Sequence, residues 1–394
     1  MLIEIERLPD YCLTIFGSTK ISSALNHSHQ LVKIVVILTI LWGCMSFVID
    51  EKPKKRKKKA FTAYIKDSVQ VEVDLVYNRK NRPDYYSSHV VTPVCEKGIC
   101  YELIVDIYWD LLGNFLAYQE SKKDPFTKFD HIRFTASDHQ KMKEILADKT
   151  SLLANYEAKD LVDPRVVIKS DVIDGVTGAT YKSLSGAVVK GAVYSSHTLW
   201  HIVNGVIADK IVKYTETFLN DDLLIQMLQS SNYNQQFYAL NKVNLEKNKF
   251  EPYLFDLLTE GESYVPFFAI DKLPKSVWAI DEYQERSAEL LPRLEFKMQN
   301  EILNKLKGEA LSRGALSSLV DNLEGLQENQ IEKVFTILGD NRENLENKEL
   351  GKLANMMNSK SGTLSKNAYR FLSEMKLENK KVNKKLRNYE EQIK

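Results

Sequence analysis

The sequence predicts an α+β domain built on a small antiparallel sheet with helices, followed by an all-α region of helical repeats or a helical bundle. Three observations carry this. Apolar and polar residues alternate over 69–77 and again over 101–109, the period of half-buried strands. The second run ends in Asp110-Leu111-Leu112-Gly113-Asn114, which reads as a hairpin turn into a returning strand over 115–119. From Val206 onward strand signals stop, and amphipathic stretches of helical period succeed one another with short breaks.

Composition sets the outer bounds. With 394 residues the chain is too long for one typical domain. A 44% hydrophobic and 27% charged content excludes wholesale disorder. The formal net charge of +1 gives no global case for nucleic acid or acidic partners, and no nucleic-acid-binding module is legible.

Residues 1–30 show no period and read as a start-site extension. Lys33 is followed by 16 uncharged residues, 34–49. That is the pattern of a signal peptide if translation begins near residue 31; it is short for a membrane span. Leu41-Trp42-Gly43-Cys44 is close to a lipobox, which leaves lipidation at Cys44 and retention as an anchor as further readings. Lys52-Pro53-Lys54-Lys55-Arg56-Lys57-Lys58-Lys59 comes next. Behind an uncleaved anchor, this basic run would hold the chain in the cytoplasm; otherwise it is a solvated linker. The expected division is therefore a signal peptide or anchor over 1–50, a basic linker over 51–67, and an α+β domain over 68–205. A helical repeat domain over 206–376 and a charged helical tail over 377–394 complete it.

Within the α+β domain, Val69, Val71, Val73, Leu75 and Tyr77 share one strand face, and a polar loop is expected over 78–88. Tyr101, Leu103, Val105, Ile107 and Trp109 form the face of the next strand. A helix is predicted over 136–147, capped by Thr135 or Ser137, with Met142, Ile145 and Leu146 on its apolar face. His131 and His139 have no further ligand in view and read as surface or hydrogen-bonding residues. An extended run over 166–173 leads into the motif described below. A single helix is expected over 184–203, its packing face made of Ala187, Val188, Gly191, Ala192, Ser195, Leu199 and Ile202. His197 and His201 fall four residues apart on it; no acidic residue joins them, and an ordinary helical pair is the expectation over zinc.

Beyond it, helices are predicted over 206–218, 221–229, 232–243, 250–259, 263–272, 283–306, 309–324, 327–338, 347–358 and 363–376. Breaks fall at Asn220, Ser230-Ser231, Gly261, Pro274, Gly308 and Gly339-Asp340. Helix pairs recurring at roughly 30–45 residues fall in the range of helical-hairpin repeats of the HEAT type.

Of four cysteines, Cys12 and Cys44 lie in or before the apolar N-terminal segment, which leaves Cys95 and Cys100. In an exported chain the disulfide is the default; free thiols and a redox-active pair are the alternatives. A metal or iron–sulfur site would need two more ligands, and none is expected.

The most unusual stretch is Asp174-Gly175-Val176-Thr177-Gly178-Ala179-Thr180, running on through Tyr181, Lys182 and Ser183. It places an acid, hydroxyls and glycines between an extended run and an expected helix N-terminus, where free N–H groups favour a phosphate. As bare pattern it also fits an ordinary capped connection. Asp-x-x-Thr-Gly-Ala-Thr resembles the flavinylation motif of the FMN-binding domain family. That family includes the C and G subunits of the sodium-pumping quinone reductase and Rnf-type complexes. The resemblance covers these seven residues and extends weakly over 68–205.

It implies FMN held by a phosphoester to Thr180, installed by a flavin transferase with FAD as donor. Asp174, Thr177, Gly178 and Ala179 would be recognition elements, and Ser183 would lie at the phosphate end. Trp109, Tyr181 and Trp200 are candidates to flank the isoalloxazine ring. No residue is a candidate for substrate chemistry, so an electron carrier is expected rather than a substrate-converting enzyme. The implied role is an exported protein in extracytoplasmic electron transfer, meeting an unknown redox partner on the helical repeats. It would touch the membrane through 31–49 if that segment is uncleaved. The competing expectations are an exported, unflavinylated scaffold with a helical docking module, and a cytoplasmic membrane-anchored protein.

Overall fold

The computed structural model describes residues 55–65, 69–94, 102–169, 176–375 and 377–392. The apolar segment 31–49 with Cys44, the pair Cys95 and Cys100, and Asp174 lie outside the described residues. Five strands form an antiparallel meander in chain order: β1 (Lys57–Ile65), β2 (Val69–Tyr77), β3 (Pro83–Thr92), β4 (Leu103–Trp109) and β5 (Phe115–Glu120). Alternation puts one side of each strand in the core. Leu75 faces Tyr86, which faces Trp109, and Val90 pairs with Val105; all five are buried. On the open face His89 meets Asp106 at 2.8 Å.

Two sequence expectations are corrected here. The residues read as a basic linker over 51–67 include β1, whose Lys57, Lys58 and Lys59 are exposed while Ala63 and Ile65 turn inward. Lysines suit an edge strand because charge discourages further strand pairing. The loop expected over 78–88 is a short turn, since β3 begins at Pro83, where a strand tolerates proline.

The expected helix is α1 (Ala136–Ala147), with Met142, Ile145 and Leu146 buried. Thr135 and Asp138 close a reciprocal capping box at its start. The single helix predicted over 184–203 is not formed. Lys182–Leu184 is a 3-10 turn, Gly191 takes φ +79°, and the helix α2 is only Val193–Asn204. Ser185, Gly186 and Gly191 break the helical run. Ser196 Oγ instead donates to the Ala192 carbonyl and accepts from the Val189 N–H, closing α2 at its start.

The rest of the described chain is helical: α3 (Val206–Glu216), α4 (Asp221–Leu228), α5 (Tyr233–Lys242), α6 (Glu251–Glu260), α7 (Val265–Lys272) and α8 (Asp281–Leu290). Then come α9 (Phe296–Leu306), α10 (Arg313–Asn322), α11 (Glu328–Asp340), α12 (Asn347–Met356), α13 (Gly362–Glu374) and α14 (Lys380–Gln392). The long helix expected over 283–306 is two, because Pro292 sits in a 3-10 turn between α8 and α9.

Packing alternates. Helices α8, α10, α12 and α14 stack in one row, and α5, α7, α9, α11 and α13 in the other. Helix α6 joins the first row through α4 and through the Arg286–Asp256 ion pair to α8. Hairpins begin at 193, 221, 251, 281, 313 and 347, roughly 30 residues apart. Each touches mainly its neighbours, the arrangement of a helical-hairpin solenoid. Buried amides fasten one hairpin to the next. Gln284 Nε2 donates to the carbonyls of Trp278 and Ala310, and its Oε1 accepts from the Ser312 N–H. Asn341 does the same for Leu311 and Glu309.

Sheet and helices share their core, and Arg56–Lys394 form one compact unit. The border expected at 205/206 is where they interlock. Trp109 Nε1 donates to the Val203 carbonyl at 2.9 Å, and Lys210 Nζ to that of Thr62 at 3.1 Å. Tyr86 and Thr215 share a buried hydrogen bond of 2.8 Å, and Thr215 Oγ1 donates onward to the Leu111 carbonyl at 2.8 Å. The β4–β5 turn closes on Asp110, whose carboxylate accepts from Leu112, Asn114 and, in the array, Asn232. Gly113 in that turn has φ +70° and lies against α3; a Cβ there would come within 2.6 Å of the Ala208 carbonyl oxygen.

Candidate functional site

The motif folds as an edge of its own. Strands β6 (Val162–Lys169) and β7 (Val176–Thr180) form a two-stranded antiparallel ribbon apart from the main sheet. Thr177, Gly178 and Ala179 are in β7, opposite Ile168, Val167 and Asp163, and Thr180 ends the strand opposite Val162. The register shifts between Asp163 and Val167, a bulge that turns the ribbon just before its last pairs. Thr180 is half-buried. The following Tyr181 N–H bonds to the Leu161 carbonyl at 3.3 Å, so the chain leaves the ribbon in a fixed direction.

The helix N-terminus expected behind the motif is absent. Ser183 lies exposed in the 3-10 turn, and α2 starts thirteen residues after Thr180. A helix dipole therefore does not serve this loop.

What Thr180 does adjoin is an open cavity of about 400 Å³, lined by Tyr156, Lys159, Asp160, Val162, Tyr181 and Ser183. Only Tyr181 and Ser183 were singled out in the sequence. Val162 opens β6, and the other three come from the segment before it, where two 3-10 turns (Leu152–Asn155 and Ala158–Asp160) carry no pattern that marks a site. Lys159 bridges Glu157 at 2.7 Å and holds that carboxyl below its ordinary range. Arg165 donates through side chain and backbone to Asp163, opposite Ala179, and holds its carboxyl at about 2.

The histidine pair has a structural use. His197 Nε2 donates to the Tyr156 carbonyl at 2.7 Å and His201 Nε2 to that of Leu153 at 3.0 Å, their rings 4.2 Å apart. Trp200 Nε1 donates to the Asp148 carbonyl, and Asn204 to that of Leu146. One face of α2 thus pins the backbone of 146–156, behind the cavity. Among the described residues no group of three or more His, Cys, Asp or Glu is placed to hold a metal. Trp109 and Trp200 are buried, so neither is available to flank a ring at Thr180; Tyr181 is exposed and is. His139, on α1, packs against β5 and shares a 2.7 Å hydrogen bond with Tyr118.

No model of a known protein family, no curated protein and no solved structure matches the chain. No helix among the described residues is long and apolar enough to cross a membrane.

Proposed function

We propose that the chain is an exported flavoprotein that carries FMN on Thr180 and works in extracytoplasmic electron transfer. The observation that carries this reading is the complete Asp-x-x-Thr-Gly-Ala-Thr motif, its final threonine half-buried at a strand end beside an open cavity. The fit is local and chemical. A hydroxyl at a strand end can be reached by a modifying enzyme, and the adjoining cavity offers aromatic, hydroxyl and cationic groups to a tethered cofactor.

Attachment joins Thr180 Oγ to the FMN phosphorus. The pyrophosphate bond of FAD breaks, AMP leaves, and the hydroxyl proton passes to a base of the flavin transferase. Once bound, the flavin supplies the electron chemistry. The chain's part is to anchor the cofactor where a free one would diffuse away, and to present it to a redox partner docked on the helical rows.

Co-expression of residues 56–394 with a flavin transferase tests this. A flavin-fluorescent band on a denaturing gel, lost in Thr180→Ala, is the expected result. A dark band, or fluorescence unchanged in the variant, refutes it. A second reading, an exported unflavinylated scaffold, is favoured by the missing helix N-terminus behind Ser183 and by the extended solenoid. It predicts the dark band. Alkaline phosphatase fused after residue 60 tests export: activity supports it, and inactivity favours the cytoplasmic membrane-anchored alternative.

A further inference from the structure

We propose that the cavity beside Thr180 is the resting place of the isoalloxazine ring, with Tyr156 and Tyr181 as its aromatic walls; this rests on attachment at Thr180. Reach is the first argument. Thr180 lies opposite Val162 and next to Tyr181, both cavity-lining residues. A phosphate and a five-carbon ribityl chain put eight bonds between the Thr180 hydroxyl oxygen and the ring nitrogen, the span of between two and three extended residues, roughly 9 Å. The ring of a flavin held at Thr180 therefore lands within this cavity's compass.

Size and chemistry agree. About 400 Å³ lies within the range of small-molecule pockets. The isoalloxazine is a flat aromatic system with apolar faces, carbonyl and ring-nitrogen acceptors along one edge, and a single N–H donor between two of those carbonyls. The lining matches each part: two phenol rings for the faces, Lys159 and Ser183 as donors, and the Asp160 carboxylate as acceptor.

Rigidity is the third argument. Tyr156 is the residue whose carbonyl His197 holds, and its neighbour Leu153 is held by His201. One wall is thus fixed to α2. The other, Tyr181, is fixed by its own N–H to Leu161. With the backbone held at both walls, a tethered ring settles while ordering little more than the two phenol side chains.

The test uses flavinylated protein and light. A phenol in contact with an excited flavin quenches its emission by electron transfer; phenylalanine has the same shape and does not. Folded wild type is expected to emit well below the same sample unfolded in guanidinium. Tyr156→Phe with Tyr181→Phe is expected to raise folded emission towards the unfolded level, with the gel band equally bright in both. Fluorescence anisotropy gives an independent reading: a seated ring depolarises with the tumbling of the whole protein, a dangling ring much faster. Emission in folded wild type equal to that of the unfolded sample, or a fast-depolarising ring, overturns the assignment even though Thr180 carries flavin. So does emission unmoved by the double substitution. A dark gel band overturns the attachment itself and this assignment with it.

Discussion

Removing the Thr215 hydroxyl tests whether sheet and solenoid fold as one body. Thr215 is buried, accepts from the Tyr86 phenol and donates to the Leu111 carbonyl, so a single oxygen joins α3 to β3 and to the β4–β5 turn. Thr215→Val keeps the volume and strands two buried groups. At about 1–3 kcal/mol for each unsatisfied partner, the loss is about 3 kcal/mol. Tyr86→Phe removes the outer bond and leaves Thr215 bonded to Leu111, a loss of about 1 kcal/mol. In the double variant only the Leu111 carbonyl remains stranded. Its destabilisation is therefore expected to fall short of the sum by about 1 kcal/mol or more. Urea unfolding followed by far-UV circular dichroism and by tryptophan fluorescence measures all four corners of the cycle. Two results refute the reasoning. One is additivity within about 0.5 kcal/mol, the behaviour of independent sites. The other is a helical transition left in place while the tryptophan signal moves at lower urea.

Asp138, held at about 2 by the Lys128 ion pair first and by the Thr135 cap, has a depressed folded pKa. Its contribution is present above the unfolded carboxyl value and lost as pH falls from about 4 through about 2; acid unfolding of Asp138→Asn should lack that segment. Burial raises the Tyr86 phenol above its ordinary value. Its contribution is therefore intact below about pH 10 and lost as pH climbs further, and Tyr86→Phe should flatten the alkaline limb of a stability–pH profile. Gly113→Ala adds positive-φ strain to a clash with the α3 backbone, and a loss of about 3 kcal/mol or more is expected in urea melts. Gln284→Leu strands the Ser312 N–H and the carbonyls of Trp278 and Ala310. It should lower stability by about 3 kcal/mol, and amide exchange should quicken first around α8–α10.

Much of the fold was legible where period and burial coincide. The strand over 69–77, the Asp110 turn and the helix over 136–147 carry unbroken patterns, and each element lies where its pattern puts it. The hairpin array was legible from its breaks, though the border at 205/206 was not. Helix α3 is amphipathic like those after it, and no pattern tells that its apolar side meets a sheet instead of another helix. Strand β1 was hidden because lysines at an edge look like lysines in a linker. The helix over 184–203 was overdrawn because small residues satisfy a helical packing face while Gly191 leaves helical space. At the candidate site the sequence marked Thr180, Tyr181 and Ser183. Tyr156, Lys159 and Asp160 join them as His197 and His201 hold the otherwise featureless segment against α2 and the Tyr181 N–H ties Leu161 to the ribbon's end, long-range contacts without local trace.

The sheet also acts as a lid on the solenoid. A stack of helical hairpins exposes apolar surface at each end unless something closes it. At the first end the sheet does so, since α3 packs on β1 and its Thr215 reaches Tyr86 of β3. At the other end α14 does so with only Val382 and Leu386 buried and a charged outer side. Both terminal surfaces are specific, while the hairpins between them are joined by similar contacts. The number of middle hairpins is thus the free variable of this architecture. A chain lacking α10 and α11, with α12 rejoined to α9, should still close at both ends and leave the Thr180 ribbon unchanged.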